Sequence, residues 1–341
     1  MALGVSLFGL ARLDLPITKY VRSVTIHLPW DQLTVPWMAF TSNWGDWIGQ
    51  GWRLAFLSFF LLAIAWVFKK PSLKSVAVQT LIAHGIAALL ANVLKHLIGR
   101  PRPKFVHSGD WQMSFSFVSG LDSFPSGHST ASFAVATVMA KRFPVAAPVC
   151  LGIALFVGIS RVLRGSHFPT DVMGGAVIGI LSGCVAAAPL GQWRTSLQEG
   201  LHYAAIAASS VLGVLWTLSH RMEDGMAGLV LVAVGTISIV GGLWGRKDHW
   251  VRGACSRHHT WQATASMLLM AFGIAAMTTS PLVAGSAGCV CVATWFRHRT
   301  RAHEPKAQAT HWIVLREGAV LGSLCLALLT LATARGILPF Q

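Results

Sequence analysis

Long apolar segments separated by short basic connections constrain the fold of this chain more than any other feature of its sequence. Of the 341 residues, 54% are hydrophobic and 11% are charged, and the mean hydropathy is +0.58. Soluble globular domains carry about 25% charged residues. The apolar runs lie near residues 51–68, 75–99, 127–140, 145–163, 171–190, 203–219, 226–245, 262–279, 281–296 and 318–338. At roughly 20 residues for each crossing, they predict an all-α, polytopic transmembrane helical bundle of about ten helices.

Positive charge collects in the connections between these runs. The chain has 27 Lys and Arg against 12 Asp and Glu, a formal charge of +15. Such a balance can indicate nucleic-acid binding in a soluble protein, but in a membrane protein it marks cytoplasmic loops. If every basic connection is cytoplasmic, the apolar runs alternate across the membrane without conflict. We therefore expect a multi-pass cell-membrane protein, in a bacterial inner membrane, with no nucleic-acid partner.

Three regions of different character follow one another along the sequence. Residues 1–50 are expected to form an interfacial segment, since Trp30, Trp37, Trp44 and Trp47 suit an aromatic belt. Residues 51–192 contain the unusual polar residues and are expected to form a catalytic transmembrane core. Residues 193–341 are expected to add further transmembrane helices, in which we find no chemical motif.

The predicted topology places three polar segments on the non-cytoplasmic side. They are KHLIGRPRPKF from Lys95, PSGH from Pro125 and SRVLRGSHFPTD from Ser160. Ionisable groups at membrane depth are functional candidates, because burying them unpaired costs several kcal/mol. The three segments together therefore predict an active site at that face.

The third segment pairs a histidine with a carboxylate. His167 and Asp171 are four residues apart, and Pro169 suits the first turn of a helix. Asp171 could accept a hydrogen bond from one imidazole nitrogen and leave the other free as a nucleophile. The alternative is structural: His167 caps a helix and Asp171 pairs with Arg164.

The other two segments supply positive charge and backbone donors. Lys95, Arg102 and Arg161 could surround one anion, as the transition state of phosphoryl transfer requires. In PSGH, Ser126 offers a hydroxyl, Gly127 allows close approach to the anion, and His128 stands where a general acid is needed. The alternative for this tetrapeptide is a simple helix cap.

The three segments in this order resemble a known family. Lys95 is followed at the family's spacing by Arg102-Pro103, then Pro125-Ser126-Gly127-His128, then Ser160-Arg161, His167 and Asp171. This pattern resembles the type 2 phosphatidic acid phosphatase superfamily, which includes membrane lipid phosphatases. The resemblance covers about residues 30–192, so the C-terminal half has no counterpart in it.

The resemblance implies a mechanism and assigns roles to the residues. It implies hydrolysis through a phosphohistidine on His167, oriented by Asp171, with His128 acting as acid and then as base. Lys95, Arg102, Ser126, Gly127 and Arg161 would then hold the phosphate, and no metal or other cofactor is expected. Two residues outside this set have other expected roles. Arg100 could compete with Arg102 for the phosphate-binding role, and His84 is expected to be a core residue with satisfied hydrogen bonds.

An active site at the membrane–water boundary suits a lipid phosphate substrate, either a polyprenyl diphosphate or a glycerolipid phosphate. Two alternatives stay open: a phosphotransferase that passes the phosphoryl group to another acceptor, and a transporter with a phosphate-binding half. The C-terminal helices could also serve a homo-oligomer or a protein partner.

Overall fold

The structure is a computed structural model that describes residues 1–25, 36–106, 114–219, 225–252 and 259–300. Within these ranges the regular elements are all helices, as the sequence predicts. The α-helices are α1 (Ala2–Thr25), α2 (Pro36–Gly49), α3 (Gly51–Val67), α4 (Pro71–Ile98), α5 (Gly127–Arg142), α6 (Ala147–Leu163), α7 (Pro169–Ala186), α8 (Trp193–Ser219), α9 (Met226–Arg252), α10 (His259–Met277) and α11 (Pro281–Thr300).

Four described helices are long and apolar enough to cross a membrane: α4, α7, α8 and α9. The pair α2–α3, bent by 54°, makes a fifth crossing if it is counted as one. This number is below the ten apolar runs of the sequence, and the run 318–338 lies outside the described residues. Some of the runs form helices shorter than a full crossing, such as the 17-residue α6. The chain is a multi-pass membrane protein.

The chain divides into two compact units, one of residues 10–204 and one of residues 1–9 with 205–341. The predicted catalytic core, residues 51–192, lies within the first of these, and its limits remain a prediction. In the other unit, α9 and α10 approach so closely that a Cβ on Gly235 would lie 2.5 Å from the carbonyl oxygen of Gly273. Small residues permit such contacts between membrane helices.

The pairing of α5 with α7 organises the unit of residues 10–204. A Cβ added at Gly175, Gly179 or Gly183 of α7 would lie 2.6 Å from an atom of α5 or of its N-cap residue Ser126. At the first two positions that atom is a backbone carbonyl oxygen. Glycine at every fourth position therefore lets the two backbones touch. The contact places the first turn of α5 beside the first turn of α7.

The N-terminal helix, which was expected to be interfacial, has side chains that are buried in the protein. Leu10, Leu13 and Asp14 of α1 are each at most 1% exposed. Val21 of the same helix packs against Leu163 of α6. Trp44 and Trp47 of α2 are half exposed, and the aromatic belt remains a prediction. The side chains of Trp30 and Trp37 lie outside the described part.

Candidate active site

Four helix ends meet at one end of the unit of residues 10–204. Lys95 comes from the end of α4, His128 from the first turn of α5, Arg161 from the end of α6 and Asp171 from the first turn of α7. His167 lies in the connection between α6 and α7 and is 3% exposed. The structure thus brings together the three polar segments that the sequence singles out.

The hydrogen bond of His167 determines which of its nitrogens carries a proton. Nδ1 lies 2.7 Å from the backbone carbonyl oxygen of Ser123. A carbonyl oxygen only accepts, so Nδ1 donates, and in the neutral ring the lone pair is on Nε2. Burial is the main cause that lowers the pKa of His167 well below its ordinary value, and the charges of Arg161, Arg102 and Lys95 add to it. His167 is therefore a neutral imidazole, unprotonated at Nε2, beside three cations.

Asp171 orients this histidine less directly than expected. Its Oδ2 is 3.9 Å from Nδ1 of His167, too far for a hydrogen bond. The carboxylate instead accepts hydrogen bonds from the Ser123 hydroxyl at 2.5 Å and from the Phe168 backbone N–H at 2.8 Å. The expected direct bond is wrong because these donors occupy the carboxylate, and Ser123 links the two residues.

Arg100 holds Asp171 from the other side and was not identified as a site residue by the sequence. Its Nη1 donates to Oδ1 of Asp171 at 2.5 Å and to the Thr170 hydroxyl at 2.8 Å. Its Nη2 donates to Oδ2 of Asp14 at 2.7 Å. Asp14 also accepts from the Thr170 hydroxyl and, at 3.0 Å, from the Thr170 backbone N–H. The N-terminal helix α1 thereby contributes a buried carboxylate to the network behind His167.

Gly99 explains how Arg100 reaches this position. It ends α4 in the left-handed region, at φ 55°, and its N–H caps the carbonyl of Lys95. A Cβ at this position would lie 1.6 Å from the carbonyl oxygen of Ser114, which only glycine avoids. After the turn, the Arg100 carbonyl accepts a hydrogen bond from the Ser123 N–H at 2.9 Å. The segment carrying Arg100 is thus fastened to the residue that holds His167.

Two further carboxylates neutralise the cations of the site. Asp122 accepts two hydrogen bonds from Arg102, at 2.8 and 2.6 Å, and lies 3.8 Å from Nζ of Lys95. Burial opposes ionisation of Asp122, but the bond and charge of Arg102 and the charge of Lys95 outweigh it and lower its pKa. Asp122 is thus a carboxylate that shares the cations predicted to bind phosphate.

Asp46 of α2 pairs with the cations on the opposite side of the site. It accepts a hydrogen bond from Arg161, and its Oδ2 lies 3.2 Å from Arg164. Its Oδ1 lies 3.3 Å from Nε2 of His128. Gly45 permits this position, since a Cβ there would lie 2.3 Å from the Cβ of Ser160. The Asp46 carboxylate therefore lies next to the cationic side chains that a phosphate oxygen would need as partners.

Ser126 and Gly127 begin α5 at the edge of the site. Ser126 is the N-cap, and its hydroxyl oxygen accepts a hydrogen bond from the Ser129 hydroxyl at 3.0 Å. Its backbone N–H donates to the carbonyl of Asp171 at 3.0 Å. Gly127 faces Lys95, because a Cβ on it would lie 3.7 Å from Nζ. Ser126 therefore caps α5, as the alternative for this tetrapeptide predicted. The phosphate contacts of Ser126 and Gly127 remain predictions.

The structural alternative for His167 and Asp171 does not match the contacts. Phe168, not His167, is the N-cap of α7. Asp171 pairs with Arg100, whereas Arg164 pairs with Asp46. The histidine is therefore not explained by capping or by an interfacial ion pair.

The sequence offered one signal for the residues that it did not identify. The chain has only 12 acidic residues. Four of them, Asp14, Asp46, Asp122 and Asp171, pair with arginine in this site. A carboxylate inside an apolar helix, as in ARLDLP of α1, needs a buried cation, but the sequence cannot say which one.

Metal ligands are not grouped in the described part of the chain. Among those residues, no three His, Cys, Asp or Glu side chains are placed to hold a metal ion. Each carboxylate of the site instead has an arginine partner. Whether the reaction proceeds without a metal remains a prediction.

Comparison with known proteins points to one family. Residues 76–194 match the model of the PAP2 superfamily. The chain is 44% identical over 101 residues to a lipid A 1-phosphatase of Rhizobium johnstonii, an alignment that covers 27% of this chain and 39% of that protein. It is 39% identical over 115 residues to phosphatidylglycerophosphatase B of Bacillus subtilis, covering 30% and 51%. It is 32% identical over 124 residues to undecaprenyl-diphosphatase BcrC of the same organism, covering 36% and 62%. No solved structure matches the chain.

These alignments span less than two thirds of each relative. All the predicted site residues, from Lys95 to Asp171, fall inside the matched segment. The helices around that segment form the site described above, and the resemblance read from the three motifs is confirmed. This chain therefore carries a PAP2 superfamily domain at residues 76–194.

Proposed function

We propose that this chain is a membrane lipid phosphatase that hydrolyses a lipid phosphate monoester or diphosphate through a phosphohistidine on His167. The observation that carries the proposal is the 2.7 Å hydrogen bond from Nδ1 of His167 to the Ser123 carbonyl. It leaves the lone pair on Nε2, which is the atom that must attack. Burial and three neighbouring cations keep that nitrogen unprotonated.

In the first half of the reaction, Nε2 of His167 attacks phosphorus. A bond forms from nitrogen to phosphorus as the bond from phosphorus to the lipid oxygen breaks, and its electron pair leaves with that oxygen. His128 donates the proton that the leaving oxygen needs. Lys95, Arg102 and Arg161 stabilise the charge on the phosphoryl oxygens. One support is Nε of Arg161, a buried donor with no hydrogen-bond partner among the described residues.

In the second half, water attacks the phosphohistidine and His128 accepts its proton. The nitrogen–phosphorus bond breaks, its electrons return to Nε2, and inorganic phosphate leaves. His128 is suited to both steps because Nε2 of its ring lies within 3.3 Å of the Asp46 carboxylate, which is also bound by Arg161. The proposed proton donor therefore shares a carboxylate with Arg161, one of the cations proposed to hold the phosphate.

The names of the relatives support a lipid as substrate. The three described above are named for the phosphate or diphosphate of lipid A, phosphatidylglycerol and undecaprenol. These names support a lipid phosphate as the substrate class and do not select one lipid for this chain. We place the enzyme in a bacterial inner membrane, because these relatives are bacterial.

The active site is proposed to face away from the cytoplasm. Lys69, Lys70 and Lys74 lie at the start of α4, and Lys141 and Arg142 at the end of α5. These ends are opposite to the site, and positive residues favour the cytoplasmic side. Ser119→Cys, in a variant without the six native cysteines, should react with an impermeant maleimide on intact cells. Ser72→Cys should react only after lysis, and the reverse pattern would place the site in the cytoplasm.

The mechanism is tested by phosphate release from a panel of lipid phosphates and diphosphates in EDTA. We expect wild type and the control His202→Ala to release phosphate, and His167→Ala to release none. Rapid quenching with a ³²P-labelled substrate should trap label on the protein that is stable in alkali and lost in acid. Label that persists in His167→Ala, or release that requires a metal, contradicts the proposal.

The acid role of His128 has a separate test. His128→Ala should lose most of its activity on an alkyl phosphate and much less of the phosphorylation burst on a nitrophenyl phosphate, whose leaving group needs no proton. Equal losses on both substrates would show that His128 does not act as a proton donor.

A further inference from the structure

A cavity of about 230 Å³ lies beside the active site, between α3, α4 and α5. Lys95 and His128 form the wall that it shares with the site, and His84 and Asn92 of α4 also line it. The rest of the wall is small, with Gly51, Ala88 and other alanines among the residues.

If His128 protonates the leaving oxygen as proposed, the cavity lies on the leaving-group side of the phosphate. Two imidazoles lie against the break between α2 and α3, because a Cβ on Gly49 would lie 3.1 Å from His128 and one on Gly51 would lie 3.4 Å from His84. In the proposed mechanism His128 protonates the leaving oxygen. The part of the substrate attached to that oxygen therefore extends toward His84.

His84 does not have the satisfied hydrogen bonds that the sequence predicted. Its Nδ1 is buried, and among the described residues nothing hydrogen-bonds to it. Asn92 is exposed on the same helix, which is long and apolar enough to cross a membrane. Polar groups at membrane depth are costly without partners and mark functional sites. A bound molecule with hydrogen-bonding groups would supply the partners.

The charge of the cavity limits what that molecule can be. Lys95 and His128, on the wall shared with the site, serve the phosphate that is transferred, which leaves His84, Asn92 and small residues for the leaving group. A diphosphate would place a second anion among uncharged groups, which is unfavourable. An isoprenoid chain would leave His84 and Asn92 without partners. The cavity is smaller than the roughly 300–1,000 Å³ of pockets for drug-sized ligands, so it takes one unit of a lipid.

We propose that this cavity binds a hydroxylated leaving group, a sugar or glycerol unit, and that His84 and Asn92 select it. The inference rests on the proposed phosphatase activity and names its substrate class. His84 and Asn92 act on specificity, and Lys95 and His128 act on the phosphate itself.

The test compares three monophosphates that share the reacting group: an N-acylated glucosamine 1-phosphate, lysophosphatidic acid and farnesyl phosphate. Wild type should have the highest kcat/KM on one of the two hydroxylated lipids. His84→Leu and Asn92→Leu should each lower that value about tenfold, as expected for a lost hydrogen bond to a substrate. Their kcat/KM on farnesyl phosphate should stay the same or rise.

Matched controls keep the result interpretable. Ser75→Leu places the same side chain on an exposed position of α4 outside the cavity and should change none of the three values. His84→Gln should restore part of the preference. Turnover of farnesyl phosphate shows that each variant is folded.

Two outcomes would overturn the inference in different ways. A wild type that prefers farnesyl phosphate, or variants that lose all three activities equally, would refute the role of the cavity and leave the phosphatase proposal standing. No hydrolysis of any lipid phosphate would refute the phosphatase proposal and the inference with it.

Discussion

Nη1 of Arg100 lies 2.5 Å from Oδ1 of Asp171, and both side chains are buried. Asp171 does not touch His167 directly, so its effect on the histidine passes through Ser123. Arg100 holds the Asp171 carboxylate, which in turn binds the Ser123 hydroxyl. Asp14 pairs with the other terminal nitrogen of the Arg100 guanidinium. We therefore expect Arg100 and Asp14 to position His167, the proposed nucleophile.

Arg100→Lys should lower kcat at least tenfold and change KM little, because a lysine cannot bridge two carboxylates with the geometry of a guanidinium. Steady-state kinetics on the best lipid phosphate substrate measure kcat and KM separately. Arg194→Lys, an exposed arginine of α8, is the matched control and should behave as wild type. A change in KM alone would show that Arg100 contacts substrate instead of positioning Asp171.

Asp14→Ala should destabilise the protein, since removing one partner of a buried ion pair costs roughly 3–5 kcal/mol. Asp14→Asn keeps a hydrogen-bond acceptor for Thr170 and should lower the stability of the protein less than Asp14→Ala does. Thermal unfolding in detergent, with activity measured on the folded fraction, separates stability from positioning. If Asp14→Ala unfolds at the wild-type temperature, the pair with Arg100 is not structural.

The motifs of the candidate site were recognisable because each of them is local in sequence. Spacing and residue type alone single out the pair His167 and Asp171 and the PSGH turn, and their catalytic roles remain predictions. The contacts of Asp14, Asp46 and Asp122 depend on helix packing, which brings Asp14 to Thr170 across 156 positions. Hydropathy predicted a helical membrane fold, but it could not show that α5, with Ser129, Thr130 and Ser132 buried, is enclosed by other helices.

Asp46 pairs with Arg161, which is predicted to bind phosphate, so we expect the carboxylate to compete with phosphate. Asp46→Asn should strengthen inhibition by inorganic phosphate about tenfold, because a negative charge next to Arg161, Arg164 and His128 is removed. The inhibition constant for phosphate is the measurement. Glu199→Gln breaks an ion pair with Lys141 at the other end of the bundle and should leave that constant unchanged. Weaker inhibition in Asp46→Asn would mean that the carboxylate orders the cations instead of competing for them.

The pH dependence of activity should report the environment of His167. Its pKa is lowered by burial and by the charges of Arg161, Arg102 and Lys95, so this proposed nucleophile stays neutral below the ordinary histidine range. Removing a positive charge raises that pKa. The acid limb of kcat/KM in Lys95→Gln should therefore move to higher pH, with lower activity throughout.

The control for this shift is Lys74→Gln, which removes the same charge at the opposite end of α4. Its acid limb should coincide with that of wild type. An acid limb in Lys95→Gln that stays in place would show that another group, not His167, sets it.

Gly179 of α7 tests the packing that assembles the site. A Cβ at this position would lie 2.6 Å from the Thr130 carbonyl oxygen and 2.8 Å from the Ala134 nitrogen, both backbone atoms that cannot move without displacing α5. Gly179→Ala should therefore lower the unfolding temperature and the activity together. Gly152→Ala of α6, where a Cβ would meet nothing within 4 Å, should be neutral or stabilising, because alanine favours helix. Equal behaviour of the two variants would show that α5 and α7 are not in backbone contact, and that the juxtaposition of His128 with His167 has another cause.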